Sequence, residues 1–197
     1  MLPPLQIVRR SSFKRSPWKN GGGITHEAIR VPATGDPFLW RVSVAQIDSS
    51  GPFSEFTGYD RRMVLLQGRG IALTHGNGEH QLLQNVGDCV EFAGAMPTHC
   101  ELLGGPCVDL NLMVAESLRS TARVVRLDDR LIATADGKTT LIFGIESPIS
   151  LESDAGETVR LEPWDLAVLS RGSARFDNMT PDGRSAPAAV FIATICQ

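Results

Sequence analysis

The chain has 197 residues, 42% of them hydrophobic and 21% charged, which supplies a sizeable core and a wetted surface and excludes a disordered polypeptide. Lys and Arg number 19 against 22 Asp and Glu, a net charge of −3 with no basic block, so the footprint of a phosphate-dominated nucleic-acid binder is missing. Gly (19) and Pro (12) together exceed the usual roughly 12%, which favours short strands and turns over long helices.

In chain order, Arg9-Arg10-Ser11-Ser12-Phe13-Lys14 superficially resembles a twin-arginine export signal. Ser16-Pro17-Trp18-Lys19-Asn20-Gly21-Gly22-Gly23 then stands where such a signal needs an apolar stretch, so the segment is read as part of the folded domain. No apolar window is long enough for a membrane helix, and a soluble cytoplasmic protein is expected. Strand-like runs follow at 39–45, 62–66, 71–73, 88–92, 108–113, 122–127, 139–143, 166–169 and 189–195. In the first of these Trp40, Val42 and Val44 alternate with Arg41, Ser43 and Ala45, the pattern of a two-sided strand. Only Ala115–Ser120 suggests a helix. Gly76-Asn77-Gly78, Ala135-Asp136-Gly137-Lys138 and Ala155-Gly156 read as hairpin turns. The whole predicts an all-β sandwich or barrel.

The four cysteines contain no Cys-x-x-Cys pair, which removes a zinc ribbon and a thioredoxin motif; Cys89 and Cys196 are expected as buried free thiols in apolar strands. A repeat is also visible. Ile71-x-Leu73, Gly78-Glu79, Leu83 and Gly87-Asp88-x-Val90-x-Phe92 recur as Ile149-x-Leu151, Gly156-Glu157, Leu161 and Trp164-Asp165-x-Ala167-x-Leu169. The offset is 78 residues, then 77 after one gap, and it predicts two similar β units over 1–115 and 116–197.

Each copy resembles half of the cupin pattern. If Gly68 is the closing glycine of the first cupin motif, Arg61 stands where the metal-binding glutamate would be, and the paired histidines fall near Ser54 and Phe56. His99 lies within one residue of the second motif's histidine, and the second copy has Arg175 there. Three further segments are dense in unusual residues: Pro17–Glu27, Trp40–Ala45 and Gly51–Arg61. With Leu66-Gln67-Gly68-Arg69-Gly70 and Asp109-Leu110-Asn111-Leu112-Met113 they closely resemble the signature of the HutD/Ves family. That resemblance implies a bicupin, an all-β pair of RmlC-like jelly-roll units, and a link to bacterial histidine utilisation. It also implies a modulator of the operon that binds a pathway intermediate such as urocanate or formylglutamate.

The residues point separately to an anion pocket. Arg41 and Arg61 sit where the opposite strand face is apolar, and a guanidinium facing into a barrel mouth needs a partner, for which a carboxylate offers two parallel hydrogen bonds. The alternative is that Asp60 or Glu27 satisfies these arginines internally. The Asn20-Gly21-Gly22-Gly23 turn either presents backbone N–H groups to an anion or is simply a tight turn. Trp18, Trp40 and Phe56 are candidates for an apolar wall or for the core, and Asn111, polar on an apolar strand, touches ligand or ties up backbone. The candidate ligand-binding set is therefore Arg61, Arg41, Asn20, Thr25, Glu27, Trp18, Phe56, Asp60 and Asn111.

No catalytic residue is assigned, since Ser54 lies in no Gly-x-Ser-x-Gly elbow and the separation of Glu27 and Asp60 is not legible. His75 and His80 flank a hairpin turn and are expected in solvent. His26, Glu27 and His99 are the one combination that would make a metal site by converging, and no metal or cofactor is assigned. The expectation is a non-catalytic binder of a small carboxylate, without nucleic-acid or membrane partners; a homodimer stays open. The alternatives are a metal-dependent cupin enzyme and a protein–protein modulator with a vestigial pocket.

Overall fold

The computed structural model describes residues 3–127, 131–177 and 188–196. Its strands, in chain order, are β1 (Leu5–Val8), β2 (Lys14–Pro17), β3 (Gly23–Val31), β4 (Trp40–Ile47), β5 (Gly51–Pro52), β6 (Tyr59–Gln67), β7 (Ile71–His75), β8 (His80–Leu83), β9 (Cys89–Ala93), β10 (Thr98–Leu102) and β11 (Cys107–Ala115), then β12 (Arg119–Leu127), β13 (Leu131–Thr134), β14 (Lys138–Gly144), β15 (Ile149–Ser153), β16 (Thr158–Leu161), β17 (Leu166–Leu169), β18 (Ser173–Asp177) and β19 (Ala188–Cys196).

Two units divide these strands. Phe13–Ser117 carries a six-stranded sheet ordered β2-β3-β4-β11-β6-β9 and a four-stranded one ordered β5-β10-β7-β8. The second unit takes the chain from Leu118 on, with sheets ordered β1-β17-β14-β19-β12 and β13-β18-β15-β16. The orders correspond: β4-β11-β6-β9 matches β12-β19-β14-β17, and β5-β10-β7-β8 matches β13-β18-β15-β16. The sequence repeat maps onto this duplication residue by residue. Ile71 faces Leu83 across β7 and β8, as Ile149 faces Leu161 across β15 and β16. The Gly87-Asp88 and Trp164-Asp165 turns also bond alike, with Gly87 N donating to Leu65 O and Trp164 N to Gly144 O. Both turns need a left-handed residue, Gly87 at φ 92° and Trp164 at φ 71°. In the second copy a side chain therefore bears a conformation that glycine takes freely, and the Arg10 guanidinium lies 4.0 Å over that indole.

The boundary differs from the one the repeat suggested, because the first strand belongs to the second unit. β1 pairs antiparallel with β17, Leu5 opposite Leu169 and Val8 opposite Leu166. The Arg9-Arg10 pair then fastens it: the buried Asp165 carboxylate accepts from the Arg9 guanidinium at 2.7 Å, the Arg10 amide at 2.8 Å and the Glu162 amide at 3.1 Å. Asp165→Ala strands these donors, so we expect a loss on the order of 3 kcal/mol. That corresponds to a Tm drop of roughly 6–12 °C in thermal unfolding, with faster amide exchange in β1.

Ala115–Ser120 is the end of β11, a turn over 116–118 and the start of β12, and not a helix. The stretch is too short to nucleate a helix against strands on both sides, and the amides of Ala115 and Glu116 donate to the carbonyls of Leu39 and Gly58. Cys89 is exposed, because alternation on edge strand β9 turns Phe92 inward and Cys89 outward; the buried thiols are Cys100 and Cys107. His75 is buried, with its ring nitrogens against Thr98 Oγ1 at 2.9 Å and Gln81 Oε1 at 3.0 Å, while His80 is exposed.

In the first unit the core lies between the two sheets, built from Ile47, Met63, Leu65, Ile71, Leu73, Leu83, Phe92, Cys100 and Cys107. The inner face of the six-stranded sheet changes character along each strand. On β4, Arg41, Ser43 and Ala45 give way to Ile47; on β6, Arg61 gives way to Met63 and Leu65; on β11, Met113, Asn111 and Asp109 give way to Cys107. One end of the unit is thus closed by apolar packing and the other is lined by polar groups. In the second unit the strand equivalent to β11 sends Ala188, Val190 and Ile192 into an apolar cluster instead.

Candidate functional site

The polar end of the first unit is a cavity of about 590 Å³, within the usual range of small-molecule sites. Its floor is the six-stranded sheet, where strand register arranges the side chains in rows. Arg41 and Arg61 flank Met113; Ser43 stands between Glu27 and Asn111; Ala45 stands between Thr25 and Asp109. Period-2 alternation produces these rows, since Thr25 and Glu27, Arg41, Ser43 and Ala45, and Asp109, Asn111 and Met113 each recur every second residue on one face. The loop from β5 to β6 supplies Phe53, Ser54 and Phe56, and the β2–β3 hairpin supplies Ser16, Pro17, Trp18, Lys19 and Asn20.

Arg61 is almost completely buried, at 5% exposure, yet among the described residues neither it nor Arg41 has a carboxylate within salt-bridge distance. Its guanidinium donates to Asn111 Oδ1 at 2.9 Å and, weakly, to the Ser54 carbonyl at 3.4 Å. Phe92, Phe53 and Phe56 surround it at 4.9, 5.3 and 5.6 Å from its central carbon to the ring centres. Asn111 in turn donates through Nδ2 to Asp109 Oδ1 in a short hydrogen bond, so both ends of the amide are fixed. Burial pushes the Asp109 carboxyl up to about 7, opposed by the Arg61 charge and the Asn111 hydrogen bond. Burial likewise brings Arg61 down to about 10, with Asp109 opposing and Arg41 reinforcing. Arg41, half-buried, is also lowered by burial, with Glu27 opposing; it donates to the Met113 sulfur at 3.4 Å and lies 5.3 Å from the Phe56 ring centre.

Three buried atoms around this cavity have no hydrogen-bond partner: Arg41 Nε, Arg61 Nε and Asp109 Oδ2. A guanidinium carries five N–H donors; Arg61 spends two and Arg41 one, the latter on a thioether. Unsatisfied polar groups at such depth are costly, and here they line one cavity. Chemically the arrangement offers unspent hydrogen-bond donors and positive charge at the arginines, the complement of an anion.

Of the nine residues picked out from the sequence, eight line the cavity: Arg61, Arg41, Asn20, Thr25, Glu27, Trp18, Phe56 and Asn111. Asp60 does not. It is next to Arg61 on β6, and neighbouring strand residues face opposite sides of the sheet. Trp40 likewise lies outside the lining, fully buried on the other face of β4 from Arg41. Trp18 is held by its indole N–H, which donates to Thr25 Oγ1 at 2.8 Å, and by an edge contact with Phe53. Gly23 makes room for that indole, since a Cβ there would strike the Gln46 carbonyl and crowd the Trp18 ring. In the glycine turn, Gly21 N donates to Trp18 O and Gly22 N to Asn20 Oδ1, so these two amides are spent within the hairpin.

The metal combination does not assemble. Glu27 lines the cavity, His26 beside it faces the other way, and His99 is exposed on β10. Among the described residues no three His, Cys, Asp or Glu side chains form a metal-holding group. At the cupin ligand positions Ser54, Phe56 and Arg61 do not supply the His/His/Glu donor set, and a buried guanidinium repels a cation. The residues present do not fit a cupin metal.

The HutD family profile matches residues 10–185. The chain belongs to the HutD family. A Pseudomonas putida relative, described as an uncharacterized 21.2 kDa protein in the hutC 3' region, is 38% identical over 170 residues, covering 85% of this chain and 88% of that protein. Protein Ves of Citrobacter koseri is 35% identical over 65% of this chain and 66% of its own length. Membership thus links the chain to the histidine-utilisation operon. Among solved structures, a conserved protein of unknown function from Pseudomonas aeruginosa PAO1 aligns with TM-score 0.86 at 29% identity, over 98% of this chain and 99% of that one. HutD from Pseudomonas fluorescens SBW25, described in a formate condition, aligns with TM-score 0.76 at 30% identity over 98% and 100%. Oxalate decarboxylase from Lactobacillus farciminis, at 9% identity and TM-score 0.68 over 99% of this chain and 86% of that one, shares the fold. The architecture is that of a bicupin.

In this HutD-family chain the residue missed from sequence is Asp109, the partner that fixes Asn111 and offsets the Arg61 charge. Its signal was present: Asp109 and Asn111 are two apart on an otherwise apolar strand and so share a face.

Proposed function

We propose that this protein is a non-catalytic, small-carboxylate-binding modulator of histidine utilisation. The observation that carries this reading is the pair Arg41 and Arg61, both lining one cavity with most of their donors unspent and no carboxylate in salt-bridge range among the described residues. Phe53, Phe56 and Trp18 add apolar walls suited to a planar or short aliphatic acid. Family membership supports the histidine context.

The test is thermal unfolding and calorimetric titration with formate, urocanate, N-formylglutamate and histidine. At one hundred times its Kd a bound acid stabilises the fold by about 2.7 kcal/mol, and it is recovered chemically unchanged after prolonged incubation. The reading is overturned if none of the acids shifts the transition, and its non-catalytic part if one is converted.

A further inference from the structure

The two ends of the cavity floor differ in what they ask of an occupant. At one end Arg41 and Arg61 offer donors. Two alternations further along β11, about 13 Å of backbone beyond Met113 and one side chain, Asn111, beyond the Arg61 guanidinium, stands Asp109, 1% exposed and lining the same cavity. Its Oδ1 is taken by Asn111 Nδ2, and its Oδ2 is buried without a partner. The neighbours across the sheet cannot fill that vacancy: Ala45 on β4 and Leu65 on β6 face Asp109, and neither side chain has a donor. On the floor Asn111 is committed at both ends, and Thr25, whose Oγ1 accepts from the Trp18 indole, makes no hydrogen bond to Asp109. Glu27, the other carboxylate of the lining, is half-buried and reaches solvent, so only Asp109 depends on the cavity for its last hydrogen bond.

We infer that Asp109 is a specificity-determining residue, which accepts a hydrogen bond through Oδ2 from an N–H donor carried by the same acid that the arginines hold. The inference rests on the carboxylate reading above and narrows it to a class: small acids with an N–H group, such as an imidazole or an amide, several bonds from the carboxylate. An acid without that group leaves Oδ2 buried and unpaired, and a site that rejects for this reason discriminates strongly. Apolar walls alone would not make the distinction.

Calorimetric titration of the full chain at pH 8, where Asp109 is ionised and Oδ2 only accepts, tests this with two matched pairs: urocanate against 3-(2-furyl)acrylate, which replaces the ring N–H by an ether oxygen, and N-formylglutamate against glutarate. The wild type is expected to prefer at least one N–H-bearing acid by roughly ten- to a hundredfold. Asp109→Asn presents an amide N–H where Oδ2 was and should abolish or reverse that preference while still binding acids, and Glu101→Gln, an exposed carboxylate on β10 outside the cavity, should keep it. Equal affinities within both pairs in the wild type, or a preference that survives Asp109→Asn, overturn the role of Asp109 and leave the carboxylate site standing. If no acid of either pair binds, the carboxylate reading falls and this inference with it. The wild-type comparison stands by itself should the variant not fold.

Discussion

Replacing Arg61 with glutamine is expected to weaken carboxylate binding about a hundredfold, roughly 2.7 kcal/mol, and to leave the fold intact. The size follows from burial. The Arg61 guanidinium lies among three phenylalanine rings and gives one good hydrogen bond, to Asn111, so an anion reaching its free Nε edge meets a positive charge in a site nearly stripped of water. Arg41 is only half-buried, and Arg41→Gln should cost nearer tenfold because solvent screens it. Folding survives because the group left behind adjusts. Without Arg61, Asp109 loses the charge that opposes its desolvation, and a carboxyl already raised to about 7 takes up a proton instead of remaining a bare buried anion. Calorimetry at pH 6 with whichever of formate, urocanate or N-formylglutamate binds the wild type, alongside circular dichroism of the variant, checks both halves. Wild-type affinity in a folded Arg61→Gln protein would place the anion elsewhere.

Much of this site is legible from residue spacing. The alternation of Arg41, Ser43 and Ala45 against Trp40, Val42 and Val44 already separates cavity from core on β4, and the structure keeps that separation. The offset between Ile71 and Ile149 announces the duplication, down to equal pairing with Leu83 and Leu161. What spacing cannot give is the side of the sheet on which a lone charge ends. Asp60 and Arg61 are equally polar in sequence, and only the pairing of β6 with β9 and β11 turns Arg61 in and Asp60 out. Nor does spacing reveal long-range closure: Leu5–Val8 finds its partner in β17, more than 150 residues away, through a register that no local pattern encodes. Asp109 was overlooked for a third reason. It stands inside the motif Asp109-Leu110-Asn111-Leu112-Met113, and only the face it shares with Asn111, two residues on, marks it as part of the floor.

Asp109 also governs how stability depends on pH. Its folded carboxyl is raised to about 7 by burial, whereas in the unfolded chain it titrates near the ordinary value of about 3.9. Between those limits the folded protein holds a proton that the unfolded chain has released, so this group's contribution is complete below about pH 4 and is lost as pH rises through 7. At about 1.4 kcal/mol for each pH unit separating the two states, the loss across the window is on the order of 4 kcal/mol. Asp88 works in the opposite sense, because the Asn85 and Gln84 amides hold its carboxylate below the usual range, so its contribution is present at neutral pH and lost on acidification. Arg61 titrates near 10 and is silent in this interval. Urea unfolding of the wild type and Asp109→Asn from pH 4 to pH 8 isolates the term, since everything but Asp109 is common to both. The two stability curves should diverge by about 4 kcal/mol from one end of the range to the other, with the wild type falling relative to the variant as pH rises. Parallel curves would mean that Asp109 is solvated or paired in solution, and the vacancy at Oδ2 on which ligand selection depends would be closed.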